Sequence, residues 1–389
     1  MITEIAEPYQ TINVKDYDEL YIDGHKFPCR TKYTIHDKKL KDPKDLDGMI
    51  EQLSKTVSFT EQEKNEAMDI LKRINYYKLS IFTKLLDDEK SFTRLLQLYN
   101  FDAFLKQGLS LLLKEIENLF KANLTYFMVN NYDTMSGRCE KGQEILINEN
   151  EVLKIINNTE KHSSEFYLDY GVYETKNQKK IDIMLSQFAV SVKNKAKKEL
   201  YIEHYIKNYG GHIPFWVLVE TLTFGEIIYF YNYLASDIRK AWTNYFFKQE
   251  VVKNSEIEWL KTLQFIRNDC AHDNRLYGKT FNFTPLINLN DLELIYGKKY
   301  AEMSLKKKRS IPIEDHEKFD ELKVVIEKTK KTLFSGLLVM RNFIQNSSQY
   351  TISKWNNFLN DLEEEIDLNN IPLMRIGFRH NWKNILTIA

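Results

Sequence analysis

Proline and glycine are scarce: this 389-residue chain has 7 and 13 of them, where about 19 and 27 would be usual. Sandwiches, barrels and propellers need those residues at their turns, so a turn-rich all-β fold is disfavoured. Cysteine is scarcer still. Cys29, Cys139 and Cys270 are far apart and form no C-x-x-C pair, which leaves neither a disulfide framework nor a zinc knuckle to read. That usage fits a reducing compartment, and a cytoplasmic location is expected. The first twenty residues, MITEIAEPYQTINVKDYDEL, lack the basic and apolar regions of a signal peptide. No run of 18 apolar residues offers a membrane span. Neither sign of charge dominates, with 55 basic and 55 acidic side chains. This argues against a broad basic surface for nucleic acid, though not against a local patch. A G-x-G-x-x-G loop and a Walker P-loop are also missing, so no nucleotide cofactor is signalled, and none of any kind is expected.

What remains is 43% hydrophobic and 13% aromatic, in long Lys/Glu/Leu/Ile runs that predict an all-α fold. The length suits two or three folded regions. The boundaries read as an N-terminal helical region over 1–95, a helical core over 96–290 and a C-terminal helical region over 291–389. Residues 1–45 look like an irregular lead-in. The segment 130–180 is polar and rich in Asn, Lys and Glu, and reads as an insertion in the core or a connector. Asp45 or Asp47 caps a short helix, and the stretch Ser58–Glu63 caps a second. Residues 101–127 place Leu105, Leu109, Leu112, Ile116, Phe120 and Leu124 on one apolar face, as a core bundle helix requires. Single helices are predicted over 179–205, 215–234, 254–272, 318–345 and 352–366. The first carries Lys193, Lys195, Lys197 and Lys198, candidate RNA-binding residues, whereas the runs at Lys306–Arg309 and Lys328–Lys331 suit solvated helix faces.

Arginine is used sparingly, 11 against 44 lysines, yet LQFIRNDCAHDNRLYG packs Arg267, His272 and Arg275 into nine positions. Lysine already supplies charge, so arginine here points to a geometric need. A planar guanidinium clamps a phosphate through two parallel hydrogen bonds, which an ammonium cannot do. Histidine exchanges protons near neutral pH, and arginine stabilises charge growing on a phosphoryl centre. Together they suffice for RNA cleavage without a metal, with the 2′-hydroxyl as nucleophile. Arg267 and His272 are about 140° apart on an ideal helix, whereas Asn268 shares a face with His272. The cluster therefore fits the end of a helix, with Arg267 reaching round. A structural role stands beside this reading, with Arg267 paired to a buried carboxylate and His272 a satisfied, half-buried histidine. Cys270 beside His272 invites thiol chemistry, but two residues apart on a helix they face different sides.

These residues resemble a known pattern. IRNDCAHDNRLYG is similar to the R-N-x-C-A-H-x-x-R-L signature of the AbiD/AbiF-type abortive-infection proteins, an instance of the R-x4–6-H motif of the HEPN ribonuclease superfamily. ILKRINYYKLSIF resembles the family's N-terminal Asn-Tyr-Tyr block. LYNFDAFLKQGLSLLLKEIENLF resembles the helix in which a Phe-Asp step precedes an Ile-Glu pair, here Ile116-Glu117. IPFWVLVETLTFGEIIYFYNYL is similar to the Pro-x-Trp and Phe-Gly block, and IGFRHNW to the terminal Gly-Phe element. Lys106 and Lys121 stand where arginine is usual, and Arg379 where proline is.

The resemblance implies a HEPN-type helical bundle with additional N- and C-terminal helices, and an endoribonuclease whose toxicity aborts phage infection. It assigns catalysis to Arg267 and His272, with Asn268 orienting them. Asp269, Arg275 and Glu117 are supporting candidates, although an i to i+4 pair with Lys121 accounts equally well for Glu117. No metal is implied. The competing class is a non-catalytic RNA-binding or regulatory protein of the same fold. A toxin of another chemistry, such as nucleotide transfer, has no motif to support it. A toxic nuclease must be restrained, and the basic stretch 179–198 points to a small structured RNA as that partner. Two proton transfers from a single R-x4-H imply a homodimer with facing motifs. The aromatic-rich segment around Trp216 to Tyr233 is a candidate interface, though most of its rings suit a bundle core. The nearest second motif, Arg341-Asn342, has no histidine in range.

Overall fold

A computed structural model describes residues 42–136, 162–247 and 255–389, together with four short strands. The strands form two antiparallel hairpins, Glu19–Ile22 with His25–Pro28 and Gln143–Asn148 with Glu151–Ile155. Apart from these the fold is all-α. No described helix is long and apolar enough to cross a membrane. Cys29, Cys139 and most of the lead-in lie outside the described residues.

The chain divides into two compact units, Met1–Phe92 and Thr93–Ala389. The first unit contains α1 (Leu46–Ser54), α2 (Glu61–Leu71) and α3 (Tyr76–Ser80). Asp45 caps α1 by accepting from the Gly48 N–H at 2.8 Å. Thr60 and Glu63 cap α2 reciprocally, each side chain accepting from the other's backbone N–H. Ile50, Leu53, Ala67, Leu79 and Phe82 are buried, and Phe59 stacks on Phe92 at 4.8 Å.

The second unit is built along α4 (Phe92–Ser136), longer at both ends than its predicted apolar face. After it come α5 (Gln178–Lys195), α6 (Leu200–Asn208), α7 (Phe215–Thr221), α8 (Phe224–Tyr233), α9 (Ser236–Phe246) and α10 (Ser255–Ala271). The C-terminal part comprises α11 (Leu289–Tyr296), α12 (Lys298–Leu305), α13 (His316–Thr329), α14 (Leu333–Ile344), α15 (Gln349–Leu368), α16 (Leu373–Ile376) and α17 (Trp382–Leu386). Phe120 of α4 meets Phe224, Tyr231 and Trp242 edge-on, at 6.3, 5.7 and 5.4 Å between centroids. Each such ring contributes about 1.5–3 kcal/mol by leaving water.

Three segments predicted as single helices are each broken in two, although no glycine or proline stands at the breaks. The clearest is 215–234. Thr223 accepts from the Glu226 N–H at 3.3 Å and Glu226 from the Thr223 N–H at 2.7 Å, a capping box that starts α8 afresh. The stretch 179–205 turns at 196–199, and 318–345 restarts at Thr332. Gly377, at φ +78°, lies under that restart, and a Cβ there would come within 2.3 Å of Thr332. Part of the polar segment 130–180 also proves to be core. Phe166, Tyr167, Val172 and Tyr173 are buried, carried on short 3-10 turns.

Candidate functional site

The Arg267–His272 cluster lies at the C-terminal end of α10. That helix buries Trp259, Leu260, Leu263 and Ile266, while Lys261 and Phe265 face solvent. It packs so closely on α14 that a Cβ on Gly336 would sit 2.4 Å from Ile266 Cδ1. The backbone preceding Arg267 is thus fixed by the core.

The helix stops by turning left-handed. The Asn274 N–H donates to the Asp269 carbonyl at 2.8 Å and the Asp273 N–H to the Cys270 carbonyl at 3.1 Å. This is the Schellman pattern, with His272 as the cap residue and Asp273 in the left-handed position at φ +53°. Glycine usually occupies that position, and a substituted residue there is strained.

Asp273 is held in place by α4. Lys106 binds the Asp273 carboxylate and lies 3.1 Å from Asp102. Burial works against the Lys106 charge, but the two carboxylates outweigh it and raise its pKa. Asp102 is 1% exposed, and its Oδ1 accepts from the Leu276 and Tyr277 N–H groups at 2.7 Å each. Such charge-assisted bonds are the strong ones. Tyr277 is further seated edge-on against Phe101 at 5.9 Å. Asp269 ties the loop from below, accepting from Asn274 Nδ2 at 3.1 Å and Lys279 Nζ at 2.5 Å. Arg275 turns back to the Tyr277 carbonyl, and burial lowers its pKa against the opposing pull of Asp102.

Against this background of paired charges, two groups stand open. Among the described residues the Arg267 guanidinium makes one hydrogen bond, to Asn268 Oδ1 at 3.4 Å, and no ion pair. His272 is exposed, and its ring makes no hydrogen bond to a described residue. Neither the buried carboxylate nor the half-buried histidine of the structural reading is present. Cys270 is different: burial, against a bond from Ser110, pushes its thiol up to about 11, which leaves little thiolate at neutral pH.

The remaining sequence candidates are elsewhere. Glu117 pairs with Lys121 at 3.0 Å, both nearly buried, and Lys121 also donates to the Leu222 carbonyl at 2.7 Å. Eleven residues separate Glu117 from Lys106, about 16 Å along α4. Lys193, Lys197 and Lys198 are exposed at and just beyond the end of α5, and Lys195 donates to the Glu220 carbonyl at 3.0 Å. In the 216–233 segment Phe224, Phe230, Tyr231 and Tyr233 are buried, whereas Trp216 and Tyr229 are exposed. Arg379 lies 4.5 Å over the Tyr296 ring. The clamp of Asp102, Lys106, Asp273 and Lys279 escaped the sequence reading. Its one signal was the Phe101-Asp102 step with Lys106 one turn later.

The second unit thus carries Arg267 and His272, five positions apart, at a clamped helix end, neither with an ionic partner among the described residues. The Abi-like protein family matches residues 69–278, more than half of the chain and all of this motif, and the chain belongs to that family of abortive-infection proteins. Neither the curated proteins nor the solved structures give a match.

Proposed function

We propose that this protein is an endoribonuclease of the HEPN type and the AbiD/AbiF kind, which aborts phage infection by cutting RNA. The observation that carries this reading is the contrast at the end of α10. Asp102, Lys106, Asp269, Asp273 and Lys279 are paired there and Arg275 bonds the Tyr277 carbonyl, whereas Arg267 and His272 are left to meet a ligand. In the reaction one imidazole takes the 2′-hydroxyl proton and the 2′-oxygen attacks the adjacent phosphorus. The 5′-oxygen departs with a proton, leaving a 2′,3′-cyclic phosphate and a 5′-hydroxyl. Arg267 binds the charge that grows on the non-bridging oxygens, and Asn268 orients it. No step calls for a metal.

The test is incubation of the purified protein with mixed cellular RNA in EDTA, with products mapped at both ends. Cleavage with cyclic-phosphate ends, lost in His272→Ala, is expected. Intact RNA, or cleavage only on adding a divalent cation, overturns the reading. The exposed Lys193, Lys197 and Lys198 favour a second reading, a regulatory RNA-binding protein. It predicts salt-sensitive binding with intact ends, and growth arrest that His272→Ala leaves in place.

Two proton transfers need two groups, and the chain offers one R-x4-H. The working form is therefore a two-fold homodimer with both motifs lining one cleft. Excess His272→Ala chain should poison the wild type through mixed dimers. A monomer that still cleaves RNA would refute the shared cleft. Restraint in uninfected cells is assigned to a small structured RNA, which should co-purify with protein taken from its native locus.

A further inference from the structure

One face of α6 carries a row of tyrosines that is largely exposed. Tyr201, Tyr205 and Tyr209 recur every four residues, one helical turn or about 6 Å apart along the axis. Ile202 is the buried residue of this helix, Tyr205 is half-buried, and Tyr201 and Tyr209 remain exposed. Tyr201 is 37% exposed and Tyr209 54%. Tyr205 and Tyr209 lie 5.0 Å apart with their planes tilted by 34°. From α7, Trp216 joins them, 44% exposed and with its Nε1 donating to the Tyr205 hydroxyl at 3.4 Å. A contiguous patch of largely exposed, mutually packed rings is costly to keep unless something covers it.

The neighbours are basic. Lys195 donates to the Glu220 carbonyl, one turn from Trp216 on the same face of α7. This brings the lysine-rich end of α5 beside the rings, and Lys193, Lys197 and Lys198 there are exposed. Of the local carboxylates, Glu203 is neutralised by Lys207 at 2.5 Å. Glu199 and Glu220 remain; burial, with these two carboxylates adding to it, pushes the Tyr201 hydroxyl up. Rings flanked by an excess of lysine suit a polyanion that carries its own flat faces.

We infer that the Tyr205–Tyr209–Trp216 surface is a base-stacking platform for an unpaired RNA segment whose phosphates run along the α5 lysines. The proposal rests on the RNA-directed reading above and adds a second point of contact away from the Arg267–His272 end of α10. Stacking needs only a π-face, so the platform tolerates any base and extends the grip on the strand without reading its sequence.

The test uses a fluorescein-labelled 2′-O-methyl-uridine decamer, which binds but cannot be cut through a 2′-hydroxyl. Trp216 is the exposed tryptophan; Trp242, Trp259, Trp355 and Trp382 are buried. Saturating decamer should therefore quench intrinsic fluorescence in the wild type but not in Trp216→Phe. Tyr209→Ala should weaken binding about tenfold, and Tyr209→Phe should restore it, because the ring stacks and the hydroxyl does not. Removing a lysine that meets a phosphate should lower the salt slope of binding by about 0.7. Wild-type affinity in both Tyr209→Ala and Trp216→Ala, or no binding of the decamer at all, overturns the platform; the latter leaves the face to a protein partner. Cleavage of unmodified RNA is scored separately. Ring-dependent binding without cleavage sinks the nuclease and spares the platform, and cleavage indifferent to the rings does the reverse.

Discussion

The chain contains two Arg-Asn steps on helices that pack against each other, and they have opposite fates. On α14, Arg341 Nη1 lies 3.1 Å from Asp291 Oδ1 and Asn342 Nδ2 donates to Oδ2 at 2.9 Å. Asn342 and Asp291 are each 1% exposed. On α10, Arg267 reaches only Asn268, and the helix ends within five residues. The dipeptide is the same; what it faces differs. A carboxylate buried opposite α14 turns one pair into architecture. The clamped left-handed turn after α10 satisfies Asp273 through Lys106 of α4 and Asp269 through Lys279, and leaves the other pair half-buried with no described carboxylate opposite it. An arginine-asparagine step is thus a site only where the fold supplies no anion of its own.

The sharpest way to break this comparison is to remove the anchor of the buried pair. Arg341→Ala strands Asp291 and should cost about 3–5 kcal/mol of stability in denaturant melts. Burial already pushes Asp291 up in pKa, against Asn342 and Arg341, which pull it down. A carboxyl raised in the folded state favours folding fully below its unfolded value, about 3.9, and loses that advantage as pH rises through the folded value. Without Arg341 the folded value rises further. The deficit relative to wild type should therefore be near zero below about pH 4 and complete near neutrality. A pH-independent deficit would mean that Arg341 acts through packing alone. The open pair should behave in the opposite way. His272→Ala should lower RNA cleavage about 10²–10⁴-fold, the usual worth of a general acid or base, while leaving the melting curve unchanged. Arg267→Lys should fall nearly as far as Arg267→Ala, because a point charge cannot replace the planar fork. A large loss of stability in His272→Ala would show that the histidine is architectural after all.

How far the sequence reached follows the same division. Apolar stripes and side-chain caps are local, so α1, α2, α4, α10 and α15 were legible from spacing. The breaks inside 179–205, 215–234 and 318–345 were not, because each happens without glycine or proline. At Thr223 the stop is a side chain competing for backbone, which a hydrophobic pattern does not register. The rings of 163–173 were read as a polar connector because 3-10 turns have no 3.6-residue period. Arg267 and His272 were legible because arginine is rare in this chain. Their support was not, since Lys106 and Asp273 are separated by 167 positions and meet only once α4 crosses the end of α10. The structural alternative considered for Arg267, pairing with a buried carboxylate, describes Arg341 instead.

A smaller effect tests that support. Lys106→Met leaves Asp102 with its two backbone bonds but removes the ion pair between α4 and Asp273. The turn should loosen without unfolding. The expected result is about a tenfold fall in kcat with KM little changed, since misplacing a catalytic group by about an ångström has effects of up to 10²-fold. Lys106→Arg, the residue usual in the resembling family, should restore the rate. If both variants cleave at the wild-type rate, the clamp is stabilising only.

The smallest effect is expected at Cys270, which separates proton transfer by His272 from thiol chemistry two residues away. Burial holds its thiol near 11, so at pH 7.5 fewer than about one molecule in a thousand carries the thiolate. Alkylation by iodoacetamide should be slow at that pH and still be accelerating at pH 10, whereas an ordinary thiol levels off near 8.5. Cys270→Ser nearly keeps the volume and keeps a polar atom facing Ser110 on α4, so cleavage should stay within about twofold of wild type, with a stability loss near 1 kcal/mol for the buried hydroxyl. If Cys270→Ser abolished cleavage while the fold held, the thiol would belong to the reaction. The open histidine would then be its partner rather than the base that acts on the 2′-hydroxyl.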